Sequence, residues 1–288
     1  MNEFVIFTDT ACDISAELLK KWEVREIDLT FHFEDDGVER KGREMSTQEF
    51  YNRMREGGVA KTAAINPDAF ANAFEEQLTK GKDILYIGFS SGLSTTFNSS
   101  YIAATEMKEK YPDRKIIVID SLCASAGQGL CVYLAAQKRN AGNTIEKVAE
   151  YIEDVKLNIC HWFTVDDLTY LKRGGRVSPT VAFVGTMLSI KPILHVDNEG
   201  RLVNVSKSRG RKGSLSAIAD RYGELCDTSK SDTIFISHAD ALADAEYLRD
   251  LLESRYGSNV EVIADIGPII GAHSGPGTIA LFFVGKAR

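Results

Sequence analysis

The stretch at residues 83–101, DILYIGFSSGLSTTFNSSY, constrains the fold more than any other part of the chain. Ile84, Leu85, Tyr86, Ile87 and Phe89 form an apolar run too short for a helix and suited to a buried strand. Ser90, Ser91 and Gly92 break that run. Ser94, Thr95 and Thr96 are then the candidates to cap a helix, which the spacing of Phe97, Ile102, Ala103 and Met107 predicts. A strand that passes through a small-residue turn into a helix aims backbone N–H groups and the positive end of the helix dipole at one point. Such a point receives an anion or an oxygen-rich group.

Around this unit, short strands at 4–8 and 115–120 alternate with helices. One helix is capped by Asp13 or Ser15, one starts at Ser46 or Thr47, one has Asn66 as cap with Pro67 at its first position, and one is capped by Thr144. This alternation predicts a parallel, doubly wound α/β/α sheet over residues 1–156. Residues 24–33 alternate polar and apolar and read as one further strand. From residue 157 the pattern changes. Strand-like runs at 161–165 and 190–196 flank a basic segment, LKRGGRVSP, and a helical pattern at 180–188. Pro192 marks the second run as an edge or a bend. Asp197-Asn198-Glu199-Gly200 is a hairpin turn. Helices at 214–226 and 242–256, strands at 233–237, 260–264 and 279–284, and a glycine-rich loop at 265–278 complete the chain. The expected fold class is therefore α/β with two domains: the parallel sheet at 1–156, and a two-layer mixed-sheet α/β domain at 157–288.

Charge and cysteine content narrow the function. A net charge of −7 lacks the basic footprint that nucleic acid requires as a main partner. The five cysteines, at 12, 123, 131, 160 and 226, form no C-x-x-C pair and read as reduced thiols. The chain opens directly into a strand, with no basic leader and no membrane-spanning apolar run, so the expected location is the cytoplasm.

Four constellations carry chemistry. Gly88-Phe89-Ser90-Ser91-Gly92 matches G-x-S-x-G between a strand and a helix. One reading makes Ser90 a nucleophile with His273 as base and Asp240 or Asp265 behind it. The other makes the motif a glycine-bounded turn, favoured by the absence of an HGGG-like oxyanion segment. His273 stands in the glycine- and proline-rich loop, where backbone can approach a ligand closely; the other four histidines lack such a context. Thr62 in KTAAINP precedes a capped helix and reads by default as a turn residue. Lys172-Arg173-Gly174-Gly175-Arg176 and the basic run at 207–212 are positive patches in an acidic chain. They suit a phosphate, a partner or plain solvation. There is no Walker A loop and no G-x-G-x-x-G after the first strand, and Asp9, Asp13, Asp120 and Asp265 at strand ends make only a weak case for a metal, so neither a metal nor a nucleotide cofactor is expected.

Taken in order, FTDTACD, KTAAINPDAF, IGFSSGLSTTFNSS, VIDSLCASAGQG, LKRGGRVS, LSIKPIL and GPIIGAHSGPGT resemble the DegV family of bacterial lipid-binding proteins along essentially the whole chain. The resemblance implies a DegV-like fold enclosing one long-chain fatty acid, such as palmitate, between the two domains. It also implies a non-catalytic subunit that presents the carboxylate to a separate ATP-dependent fatty-acid kinase, giving acyl phosphate for phospholipid synthesis. The family's carboxylate ligands fall on Thr62, Ser94 and His273, and its arginines for kinase engagement or phosphoryl stabilisation on Arg173 and Arg209. The chain departs from the family pattern at Ala63-Ala64 and Thr95. A serine hydrolase using Ser90 and a lipid-sensing regulatory protein are the alternative functions.

Overall fold

The structure is a computed structural model that describes residues 3–177 and 190–288. The helix expected at 180–188 lies outside those residues. The first half runs β1 (Phe4–Asp9), α1 (Ala16–Lys21), β2 (Val24–Ile27), β3 (Thr30–Phe33), β4 (Arg40–Lys41), α2 (Thr47–Arg55), β5 (Ala60–Ala63), α3 (Pro67–Leu78), β6 (Asp83–Gly88), α4 (Thr96–Lys110), β7 (Ile116–Asp120), α5 (Ala126–Asn140) and α6 (Ile145–Val155). The second runs β8 (Ile159–Thr164), α7 (Thr169–Arg173), β9 (Ile190–Val196), β10 (Leu202–Arg209), α8 (Arg211–Leu225), β11 (Ile234–His238), α9 (Leu242–Tyr256), β12 (Val260–Asp265), α10 (Pro268–Ser274) and β13 (Ile279–Val284).

Local chemistry sets the helix starts. Ser15, Ser46, Asn66 and Thr144 each accept a hydrogen bond from a first-turn N–H through the side chain, satisfying a donor that the helix itself cannot. In α4 and α5 the cap residues Thr95 and Ser125 make no such bond with their own side chains.

Three sheets form. The first is all parallel, in the order β2-β1-β6-β7, so the direction of winding reverses between β1 and β6. In open parallel sheets the ligand crevice lies at the carboxyl ends of the strands at such a switch point. Here Asp9 at the end of β1 ties the two strand ends together, accepting from Tyr86 Oη (2.6 Å) and from the Phe89 N–H (3.0 Å). The second sheet is mixed, ordered β10-β9-β8-β13-β11-β12, with only β11 and β12 parallel. Helices α8 and α9 cover one of its faces. The other face meets α5, and one core joins Leu85 and Ile87 of β6, Cys131 and Leu134 of α5, and Phe163 and Phe282 of the mixed sheet.

The third sheet, β4-β3-β5, is antiparallel and absent from the sequence reading. The single strand expected at 24–33 divides: β2 joins the parallel sheet, and β3 leaves it after the Leu29 N–H donates to Thr10 Oγ1 (2.9 Å). The edge or bend expected at Pro192 takes the form of a partial edge. β9 is flanked by β8 and β10, but β8 reaches only His195 and Leu194, so Pro192 faces no ladder acceptor on that side.

Asp13 bridges the halves. Its backbone is left-handed (φ 53°), and its carboxyl accepts from Ser125 Oγ at the start of α5 (2.5 Å) and from the Gly267 N–H at the start of α10 (2.8 Å). Burial lifts its pKa from 3.8 to about 8, against the pull of those two hydrogen bonds. The folded state thus keeps a proton that the unfolded chain releases near pH 4, so stability from this group is full below pH 4 and lost as pH rises to about 8. Asp13→Asn stays neutral throughout. In urea unfolding, the stability of the wild type relative to this variant is expected to fall between pH 5 and 8 and to level off above that; a difference flat across this range would refute the assignment.

Candidate ligand-binding site

Where the switch point of the parallel sheet meets the mixed sheet, the protein encloses a cavity of about 480 Å³, within the range of small-molecule sites. Its wall is mostly apolar, with Leu29, Phe89, Phe163, Ile269 and Phe282 among the lining side chains. Thr62, Ser94 and His273 also line it, so the structure brings together the three head-group residues implied by the resemblance.

Each is placed by a different element. Thr62 lies in β5, paired with Phe31 of β3, so the unforeseen third sheet carries it. Ser94 lies in the turn between β6 and α4; its Oγ accepts from the Thr96 N–H (3.2 Å) and lies 2.9 Å from Thr96 Oγ1. The formal cap is Thr95, whose side chain makes no capping bond. His273 is in the last turn of α10, a helix where a loop was expected. The glycines there serve helix packing: a Cβ on Gly271 would clash with Tyr51 Oη and with Phe50 of α2. Tyr51 Oη donates to the Ile266 carbonyl (2.8 Å), seating the entry to α10.

Thr62 Oγ1 and His273 Nε2 are 2.8 Å apart. His273 Nδ1 is buried with no hydrogen-bond partner among the described residues. Burial first, and the nearby Arg176 charge second, push the imidazole down to about 4, so it is neutral at pH 7. Arg176 itself donates from Nε to the Leu93 carbonyl (3.2 Å) and from Nη1 to the Gly174 carbonyl (2.5 Å). Burial lowers its pKa as well.

An apolar cavity here meets hydroxyls, an imidazole and a guanidinium. Over residues 3–286 the sequence matches the family described as "Uncharacterised protein, DegV family". The chain belongs to the DegV family. A DegV domain-containing protein of Clostridium perfringens is 41% identical over 289 residues, covering 100% of this chain and 99% of that protein. Among solved structures, a DegV lipid binding protein from Thermotoga maritima superposes with a TM-score of 0.84 at 28% identity, over 99% of each chain. DegV, a fatty acid binding protein from Bacillus subtilis, gives 0.83 at 27%, over 99% of this chain and 100% of its own. The α/β fold with one parallel and one mixed sheet, expected from the alternation of elements, is the fold of these proteins.

In this DegV chain the Ser90 triad does not assemble. Ser90 is fully buried and donates to the Gly200 carbonyl of the β9–β10 turn (2.8 Å), while accepting from the Gly92 N–H (3.1 Å). His273 is engaged with Thr62, Asp240 with Arg55 (2.5 Å), and Asp265 lies 3.7 Å from His238. The G-x-S-x-G pattern is a latch for the hairpin. Arg173 and Arg209 are exposed and do not line the cavity; Arg173 closes α7 and Arg209 ends β10.

Arg176 and His161 are two of the lining residues that the sequence alone does not single out. In the sequence Arg176 reads as part of a basic patch, although it follows the glycine pair that turns the chain inward. His161 has no distinguishing sequence context, yet it lines the cavity, its Nδ1 3.0 Å from the Ile159 carbonyl. Among the described residues no group of three or more His, Cys, Asp or Glu is placed to hold a metal, and no helix is long and apolar enough to cross a membrane.

Gly174 ends α7 against the imidazole, and a Cβ there would overlap His273 Nδ1. Gly174→Ala is expected to cost about 1–3 kcal/mol of stability, as overpacking does, and to displace the ring from Thr62. Urea unfolding and the imidazole ¹⁵N shifts of His273 check this; unchanged shifts would show the ring unmoved.

Proposed function

We propose that this protein binds a long-chain fatty acid in the cavity and presents its carboxylate to a separate ATP-dependent fatty-acid kinase. The observation that carries the reading is the pairing of an apolar cavity with the Thr62–His273 hydrogen bond and Ser94 on its wall. The DegV proteins of Thermotoga maritima and Bacillus subtilis, described as lipid binding and fatty acid binding, support it.

The energetics fit such a ligand. Burying methylenes contributes about 0.8 kcal/mol each, so a palmitoyl chain supplies on the order of 10 kcal/mol before the cost of association. The carboxylate then needs hydrogen bonds, since a buried charge without partners is prohibitive. Thr62 has one hydroxyl proton. To donate it to the carboxylate, Thr62 must accept from His273, which sets the Nε2–H tautomer and leaves Nδ1 as a bare lone pair. That fits the lack of a partner at Nδ1. His273, neutral at pH 7, orients Thr62 without bringing a second buried cation beside Arg176. In this reading the units at 1–156 and 157–288 close on the ligand from two sides and work in the cytoplasm, with no cofactor and no chemistry of their own. Arg173 and Arg209 lie outside the cavity, where positive charge would steer the kinase or stabilise the transferring phosphoryl group.

Protein purified from a bacterial host is expected to carry a long-chain acid in near-stoichiometric amount by mass spectrometry. Thr62→Ala and Ser94→Ala should each weaken palmitate binding by about 10- to 150-fold, the equivalent of one hydrogen bond to a charged group at roughly 1.5–3 kcal/mol, and His273→Ala should weaken it by less, because it removes only the partner that orients Thr62. A protein that carries no lipid and binds none in fluorescence displacement would overturn the reading.

Arg173→Ala and Arg209→Ala are expected to leave palmitate affinity within a factor of about three and to lower kinase-dependent acyl-phosphate formation by about tenfold, or roughly 1.4 kcal/mol. Undiminished phosphorylation with a cognate kinase in both variants would remove these arginines from the mechanism.

A further inference from the structure

One buried hydroxyl on the cavity wall is not used by the arrangement just described. Ser274 is the last residue of α10, is 5% exposed, and lines the cavity. Its Oγ is buried with no hydrogen-bond partner among the described residues. A helical serine has a ready acceptor in the carbonyl three or four residues earlier, and Ser274 does not use it. Buried polar side chains are nearly always satisfied, so an exception needs a cause.

The neighbouring hydroxyls sharpen the point. Thr278 Oγ1 donates to the carbonyls of Ser274 (3.0 Å) and Gly275 (2.9 Å). Ser125 Oγ is held by Asp13 (2.5 Å) and lies 2.9 Å from Ser237 Oγ. Thr278 and Ser125 line the same cavity and are as buried as Ser274, but both have partners inside the protein. Only the Ser274 hydroxyl among these three is open to a group brought from outside.

Its place in the helix says which part of a ligand that group belongs to. Ser274 follows His273 directly, about 1.5 Å further along the axis and roughly 100° around it. An oxygen within its reach is therefore at, or within a few carbons of, the group that meets Thr62, which His273 orients. We propose that Ser274 is a further ligand-binding residue, whose hydroxyl donates to an oxygen at or near the carboxyl end of the bound acyl chain. The inference rests on the fatty-acid reading of the cavity and extends it. The oxygen belongs either to the carboxylate itself or to a hydroxyl on the first few carbons. In the second case the site prefers 3-hydroxy acids, because a polar group built to pair with a ligand oxygen discriminates against the analogue lacking it.

The test compares palmitate and 3-hydroxypalmitate on the wild type, Ser274→Ala and Ser274→Cys, using fluorescence displacement on delipidated full-length protein. Cysteine keeps nearly the same shape with a weak donor, so it separates hydrogen bonding from packing, and thermal unfolding verifies that each variant is folded. A loss of about tenfold or more for both ligands in both variants assigns the hydroxyl to the carboxylate. A loss confined to 3-hydroxypalmitate assigns it to the chain hydroxyl. Wild-type affinity for both ligands in folded Ser274→Ala overturns the inference while leaving the fatty-acid reading intact. A wild-type protein that binds neither ligand overturns both.

Discussion

The seating of α10 is the constraint on which the cavity depends. This helix has seven residues, far fewer than a helix needs to persist alone in water. It is held from two sides at its start. Asp13 of the N-terminal half accepts from the Gly267 N–H, and Tyr51 of α2 donates to the Ile266 carbonyl. Gly271 then lets the helix lie flat against Phe50 and Tyr51, where any side chain would lift it away. Both polar ties come from elements more than 200 residues distant, so the position of His273 and Ser274 is a property of the closed structure, not of their own segment.

The opposite wall depends on a strand that changes sheets. Had residues 24–33 continued as one strand, β3 would extend the parallel sheet and leave β5 without a partner. The break at Leu29, fixed by Thr10, frees β3 to pair with β5 and so presents Thr62 to His273. Phe31 and Phe33 of β3 pack against Phe50, with ring centres 5.4 and 5.5 Å apart. Aromatic pairs of this kind contribute about 0.5–1.5 kcal/mol beyond the area they bury. The same cluster thus supports Thr62 from behind and α10 from below.

Two serines four residues apart in the β6–α4 turn illustrate how a pattern and a place can disagree. Ser90 sits in the pattern associated with nucleophiles, yet it is buried under the β9–β10 turn and spends its proton on Gly200. Ser94 matches no such pattern, and it faces the cavity at the start of α4. What separates them is which hydroxyl the hairpin covers. That is decided by a contact across 110 residues.

The sequence by itself determined the elements whose causes are local. Apolar runs set β1, β6 and β7, and capping side chains placed four helix starts, at Asn66 and Thr144 and, to within two residues, at Ser15 and Ser46, because a strand's burial and a helix's first-turn donors depend on neighbours within a few residues. The resemblance of ordered motifs also named Thr62, Ser94 and His273, which the structure brings to one cavity. Tertiary structure alone decided the rest. The third sheet, the helical state of 268–274, the burial of Ser90, and the presence of Arg176 and His161 in the wall all arise from contacts between segments far apart in the chain. Local propensity has no information about such contacts. A glycine-rich run such as GPIIGAHSG reads as a loop until a tyrosine from another helix supplies the surface against which only glycine can pack.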